Sequence, residues 1–247
     1  IPKVEFKDME FVYAGAKEPA LKDISFCAMA GQTIGVIGGT GSGKSTLVNL
    51  IPRFYDAASG QVLVDGTDVK EYSLDELRDK TGVVPQKSVL FKGTLRDNMR
   101  WGKQDASDEE IYRALDTAQA REFVDSKGEG LDLYIDQGGH NLSGGQRQRL
   151  TIARALVRRP EILIMDDSAS ALDFATDARL RKAIRENTGD MTVFIVSQRA
   201  TTIKSADTIL VLDEGRLAGM GTHKELLKDC QVYREICLSQ LSKEEVE

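Results

Sequence analysis

Histidine, cysteine and tryptophan are scarce in this chain of 247 residues, with two, three and one of each. Cys27, Cys230 and Cys237 are odd in number and, with His140 and His223, follow no metal-ligand spacing, so neither a structural zinc site nor a disulfide framework is expected. Long hydrophobic runs are missing too. The longest clean apolar stretches, 162–165 and 193–196, fall far short of the roughly 18 residues of a membrane span and read as buried strands. Net positive charge is also absent: 33 Lys and Arg against 39 Asp and Glu leave −6, which argues against nucleic acid as a partner. The first ten residues are charged throughout and lack the apolar core of a secretory signal, so a chain that stays in the cytosol is expected. One basic run, Arg147, Arg149, Arg154, Arg158 and Arg159, reads as the solvated or partner-facing side of a helix whose other side carries Leu150, Ala153, Leu156 and Val157.

What the chain does have is ordinary: 41% hydrophobic and 29% charged residues, enough to bury a sizeable core. No linker, repeat or low-complexity tract divides it, so one unit with internal lobes is expected. Residues 4–13, 21–26 and 61–64 read as an antiparallel sheet. Runs at 33–37, 82–84, 162–165, 193–197 and 208–212 alternate with helical stretches, the pattern of an α/β fold with a parallel sheet. Residues 87–159 hold no strand of comparable strength and are expected to form a helical lobe inserted into a core and β lobe of about 1–86 and 160–247. A hairpin at 213–220 and two helices, from Thr222 and from Val232, close the chain.

The strand at 33–37 runs into Gly38-Gly39-Thr40-Gly41-Ser42-Gly43-Lys44-Ser45-Thr46, the phosphate-binding loop pattern between a strand and a helix. Its glycines let backbone N–H groups wrap a polyphosphate, Lys44 brings charge to the outer phosphates, and Ser45 offers an oxygen to Mg²⁺. A dinucleotide fingerprint fits less well, because it would need a glycine where Lys44 stands. Ile162-Leu163-Ile164-Met165-Asp166-Asp167 then supplies acids at the end of a buried strand: Asp166 to hold Mg²⁺ and Asp167 to orient an attacking water. Leu142-Ser143-Gly144-Gly145-Gln146 contains an S-x-x-Q capping box. Two glycines in a first helical turn carry a penalty of about 1 kcal/mol each, which suggests that something approaches this backbone, an anion above all.

Together these motifs resemble the nucleotide-binding domain of ATP-binding cassette proteins, over nearly the whole chain. The resemblance implies a P-loop (RecA-like) parallel-sheet core with an N-terminal antiparallel β subdomain and an inserted α-helical subdomain, binding ATP and Mg²⁺. It also implies that Tyr13 stacks on adenine, that Gln86 senses Mg²⁺ and the γ-phosphate, and that Ser170-Ala171-Leu172-Asp173 crosses a dimer interface. In that family two domains sandwich two ATP molecules, each between the phosphate loop of one and the Ser-Gly-Gly turn of the other. Arg53-Phe54-Tyr55-Asp56, Val83-Val84-Pro85-Gln86 and the stretch 90–98 look like export-type domains. Exporters join this domain to a transmembrane domain, so an excised cytosolic fragment or separately made domain at the cytoplasmic face of a membrane is expected.

Three positions depart from the exporter pattern. Asp167 stands where Glu is usual, Gln198 where the switch His is usual, and Gln137-Gly138 where a Glu-Arg pair precedes the signature. The first two weaken catalysis: Asp is a methylene shorter, a misplacement of about 1 Å can lower a rate on the order of 100-fold, and Gln cannot carry an imidazolium charge. The leading expectation is an ATP-hydrolysing motor of an exporter, in a heterodimer where this chain's phosphate loop forms the slow site. The alternatives are a soluble cassette ATPase acting on ribosomes or DNA, disfavoured by the lack of tandem motifs and long heptads, and a regulatory half-site with little turnover.

Overall fold

The computed structural model describes residues 1–241 and residue 246. It divides into two compact units, one formed by Ile1–Thr81 with Asp190–Glu247 and the other by Gly82–Gly189. In chain order the first stretch carries β1 (Val4–Phe11), β2 (Leu21–Ala28), β3 (Thr33–Gly38), α1 (Lys44–Asn49), β4 (Ser59–Val64), β5 (Thr67–Asp68) and α2 (Leu74–Lys80). The middle stretch follows with β6 (Thr81–Val84), β7 (Gly93–Thr94), α3 (Leu95–Arg100), α4 (Asp108–Thr117), α5 (Arg121–Ser126), β8 (Tyr134–Ile135), α6 (Gly144–Val157), β9 (Ile162–Asp166) and α7 (Phe174–Asn187). The last holds β10 (Thr192–Val196), α8 (Ala200–Ile203), β11 (Thr208–Asp213), β12 (Arg216–Gly221), α9 (His223–Asp229) and α10 (Gln231–Gln240). None of the described helices is long and apolar enough to cross a membrane.

In the first unit two sheets form for two different reasons. β1 and β2 alternate buried and exposed residues, as half-buried strands do, and join an antiparallel sheet in the order β2-β1-β4-β5. β3, β10 and β11 are buried along nearly their whole length, the mark of strands covered on both faces. β3 lies between β10 and β11, parallel to both, and β12 pairs antiparallel on the outer side of β11. Phe6 stacks on Phe26 with ring centroids 4.6 Å apart, and Phe26 meets Phe194 of β10 edge-on at 6.3 Å, which joins the two sheets through one core. The α/β class expected from the sequence is therefore the class observed.

In the second unit β9 neighbours β6, and β7 pairs with β8 in a two-residue antiparallel ladder that the sequence pattern did not reveal. Apart from α5, its helices start where side chains satisfy orphan N–H groups of a first turn. Thr94, Ser107 and Ser143 each make a reciprocal capping box, at α3, α4 and α6.

The chain's C-terminal helices dock through a buried polar contact. Tyr233 is fully buried, and its hydroxyl lies 2.5 Å from His223 Nδ1. Burial, and secondarily the Lys204 charge, hold the His223 imidazole below its ordinary pKa. The folded protein therefore binds fewer protons here than the unfolded chain does, so this contribution is present above the unfolded pKa, about 6.5, and is lost as pH falls. Urea denaturation should show stability declining from pH 7 to 5.5, and His223→Asn should flatten that decline. An unchanged slope in the variant refutes the assignment.

Candidate functional site

β3 is buried from Ile34 to Gly38, and its carboxyl end opens into the phosphate loop. The loop folds on itself through Ser42 N–H donating to the Gly39 carbonyl at 3.1 Å, and is tied to the turn after β11 by Gly215 N–H donating to the Ser42 carbonyl at 3.2 Å. Gly38 admits no side chain, because a Cβ there would stand 2.4 Å from the Leu212 carbonyl oxygen. Gly43 precedes α1 in the left-handed region at φ 101°, where a Cβ would also meet Leu21 Cδ2 at 2.6 Å. Gly39 and Gly41 face open space instead. The Lys44 ammonium donates to the Gly38 and Gly39 carbonyls at 2.6 and 3.0 Å, so its charge sits over the loop. The Ser42 hydroxyl is buried with no hydrogen-bond partner. A cradle of this size, with a cation over it and the first turn of a helix behind it, fits tetrahedral oxyanions.

The same unit carries an aromatic group beside the loop. Tyr13, 40% exposed, bonds through its hydroxyl to Thr46 Oγ1, and its ring meets Phe11 edge-on at 4.7 Å and Tyr55 at 5.5 Å. Gln198 follows β10, the parallel neighbour of β3, and Ser197 N–H donates to the Val36 carbonyl at 3.2 Å. The register Val196 beside Val36 brings Gln198 and the phosphate loop to the same edge of the sheet.

In the second unit Asp166 ends β9 almost fully buried, and Asp167 follows at φ 52°, a left-handed backbone that only a few side-chain types, Asp among them, adopt readily. Gln86 Nε2 donates to Asp167 Oδ2 at 3.3 Å, so two residues 81 apart in sequence meet.

Ser143 and Gln146 form the capping box in full: Ser143 Oγ accepts the Gln146 N–H at 3.1 Å, and Gln146 Oε1 accepts the Ser143 N–H at 3.0 Å. The two glycines have a partner inside this unit. A Cβ on Gly145 would lie 3.3 Å from the Ala171 carbonyl oxygen, and one on Gly144 3.6 Å from Ala171 Cβ, so the turn packs against the 170–173 loop. Gln148 fastens that contact, donating to Ser170 Oγ at 3.1 Å and accepting the Ala171 N–H at 2.8 Å. Asp173 caps α7 by accepting the Thr176 N–H at 2.7 Å, a bond that holds its carboxyl below the usual range, aided by Arg179 and Arg149. Gln137 and Gly138 lie in a 3₁₀ turn whose Gly138 N–H donates to the Leu90 carbonyl.

Of the basic run, Arg159 is exposed and Arg158 half-buried, but the other three arginines bond loop carbonyls of their own unit. Arg147 donates to the Leu142 carbonyl at 2.6 Å, Arg149 to the Gln119 carbonyl at 2.9 Å, and Arg154 to the Val89 carbonyl at 2.8 Å. Burial pushes the guanidinium groups of Arg149 and Arg154 down from their ordinary pKa. Helix α6 buries Gln148, Thr151 and Ala155 as well as its apolar stripe, so its arginines must satisfy loop carbonyls, which helical periodicity does not show. Gln148 was not singled out from sequence either. Its signal was a polar side chain on the buried stripe three residues before Thr151.

Comparison with known proteins gives one consistent answer. Residues 21–170 match the family model described as ABC transporter. An uncharacterised ABC transporter ATP-binding protein of Mycobacterium tuberculosis is 49% identical over 93% of this chain and 40% of its own length. An ATP-dependent lipid A-core flippase of Haemophilus influenzae is 43% identical over 97% of this chain and 41% of its own length. A solved bacterial Atm1-family ABC exporter with ATP bound superposes with a TM-score of 0.92 at 38% identity, covering 98% of this chain and 42% of that one. The chain thus spans about two fifths of the length of the relatives it matches.

Gln148→Ala removes both bonds to the 170–173 loop and should lower stability by about 1–2 kcal/mol. The same variant should speed amide exchange at Ala171. An unchanged urea midpoint together with unchanged exchange refutes the role.

Proposed function

Because this chain belongs to the ABC transporter family, as an ATP-binding domain of the exporter kind, we propose that its binding and hydrolysis of MgATP drive export through a transmembrane domain. The observation that carries the reading is the phosphate loop at the carboxyl end of β3, with Lys44 over its mouth. Adenine lies on Tyr13, and the phosphates lie along Gly38, Gly39, Thr40, Gly41, Ser42, Gly43, Lys44, Ser45 and Thr46. The donors this chain offers for Mg²⁺ are Ser45 on the phosphate loop and, in the second unit, Gln86 and Asp166, and the ion would neutralise the charge between the outer phosphates. Asp167 orients the attacking water, Gln86 holds that carboxylate in place, and Gln198 hydrogen-bonds the γ-phosphate. Ser143, Gly144, Gly145, Gln146 and Asp173 serve the ATP of a second nucleotide-binding domain.

The transmembrane partner docks on the second unit. Val89 and Phe91 are about two fifths exposed and Trp101 is 69% exposed, with the Phe91 and Trp101 rings 4.8 Å apart, an apolar surface just beyond Gln86. That partner selects the cargo. The second nucleotide-binding domain is a different chain: Asp167 and Gln198 slow the site built on this phosphate loop, whereas Leu142-Ser143-Gly144-Gly145-Gln146 is complete and serves a faster site on the partner.

Lys44→Ala deletes a charge-assisted contact worth about 1.5–3 kcal/mol, so calorimetry should show ATP affinity falling roughly 10- to 100-fold. Unchanged affinity and turnover in the folded variant defeat the reading. For the asymmetry, steady-state hydrolysis by the chain alone should be slow and should rise on mixing with its partner domain, and that gain should vanish with Ser143→Trp. Brisk turnover of the chain alone, not improved by Asp167→Glu with Gln198→His, rules it out.

A further inference from the structure

The last residue of α10 reaches the loop that carries Gln198. Gln240 Oε1 accepts the Ala200 N–H at 2.8 Å, and Gln240 Nε2 donates to the Gln198 carbonyl at 2.7 Å. Both bonds span about 40 residues of sequence and lie inside one unit. Helix α8 begins after Arg199, whose side chain makes no cap bond, so Gln240 serves as a remote cap for the first N–H of that helix.

The consequence is geometric. The peptide group joining Gln198 to Arg199 is held at both ends: its oxygen accepts from Gln240, and its N–H donates to Ser197 Oγ at 3.0 Å. Ser197 in turn is fixed to β3 through the Val36 carbonyl. A peptide plane bonded on both edges restricts ψ of Gln198, a soft torsion that sets the direction of its Cα–Cβ bond relative to that plane. Helix α10 gives this clamp a rigid base, since Tyr233 and Cys237 are fully buried.

We propose that Gln240 is a positioning residue for the reaction, holding the switch loop so that Gln198 points at the terminal phosphate. This rests on the reading of Gln198 given above. A side chain held by its backbone from outside the site is a lever on rate and not on affinity, because a misplacement of about 1 Å can change a rate on the order of 100-fold while most contacts to ATP persist.

The test uses the whole chain with four variants: Gln240→Ala, Gln240→Glu, Gln198→Ala, and Gln198→Ala combined with Gln240→Ala. Gln240→Ala should lower kcat about 10-fold, a fraction of the full loss from misplacement, and leave KM for ATP within about twofold. Gln240→Glu keeps the acceptor for the Ala200 N–H, favourably charged at a helix start, but turns a carboxylate oxygen on the Gln198 carbonyl. It should hold the melting temperature while losing kcat as Gln240→Ala does, a split that a purely structural role does not give. In the Gln198→Ala background, Gln240→Ala should lower kcat no further. Hydrogen exchange at Ala200 should quicken in Gln240→Ala while the amide of Leu241, bonded to the Cys237 carbonyl, stays protected.

Multiplying losses in the double variant, full activity in Gln240→Glu, or unchanged exchange at Ala200 overturns the proposal while Gln198 keeps its role. Gln198→Ala without effect on kcat overturns both.

Discussion

Strand β3 has parallel neighbours on both sides, and five of its six residues are shut away from water. Such a strand cannot end in solvent-facing side chains within the sheet, so its carboxyl end must turn outward through residues small enough to pass between the neighbouring backbones. Gly38, with no room for a Cβ against the Leu212 carbonyl, is where this turn begins. From it follow the loop, the helix behind the loop, and the place of Gln198 at the end of the next strand. Ligands of open α/β sheets gather outside the carboxyl ends of strands for this reason.

The second unit builds its polar surface differently. Its chemistry-bearing residues are set by side chains that bond backbone: Ser143 and Gln146 to each other's N–H groups, Gln148 to Ala171, Asp173 to Thr176. Each of these bonds meets a need created by secondary structure, an orphan N–H at a helix start or in a tight loop. The turn at Gly144 and Gly145 is therefore shaped first by its neighbour at Ala171. That packing bears on Gly145, where a Cβ would be tight at 3.3 Å, and not on Gly144, where it would make an ordinary contact at 3.6 Å.

Much of this was legible in the sequence because its causes are local. The phosphate loop is a contiguous string, the buried strands are unbroken apolar runs, and the Ser143 capping box is a spacing of three. What escaped the sequence depends on partners chosen by the fold. Arg154 is indistinguishable in sequence from a solvated helix residue, yet its guanidinium donates to Val89, 65 residues away. Gln240 stands among polar residues at the end of an amphipathic helix, and no periodicity marks it as a cap for Ala200. The β7–β8 ladder, two residues long on each side, is below the length at which alternation can be seen.

The hydroxyl contact between Tyr13 and Thr46 joins an aromatic ring to the helix that follows the phosphate loop. Ring and loop are thereby tied together before any ligand arrives. With the base on Tyr13 as proposed above, such an arrangement would work as a gauge, accepting molecules in which a flat base and a charged tail are held apart by a spacer of one length. Inorganic triphosphate fills only one end of it, a bare base only the other, and each forgoes the advantage of having both ends fixed in advance. On that reading, discrimination among phosphorylated metabolites would be a matter of span, measured by the protein before any base edge is read.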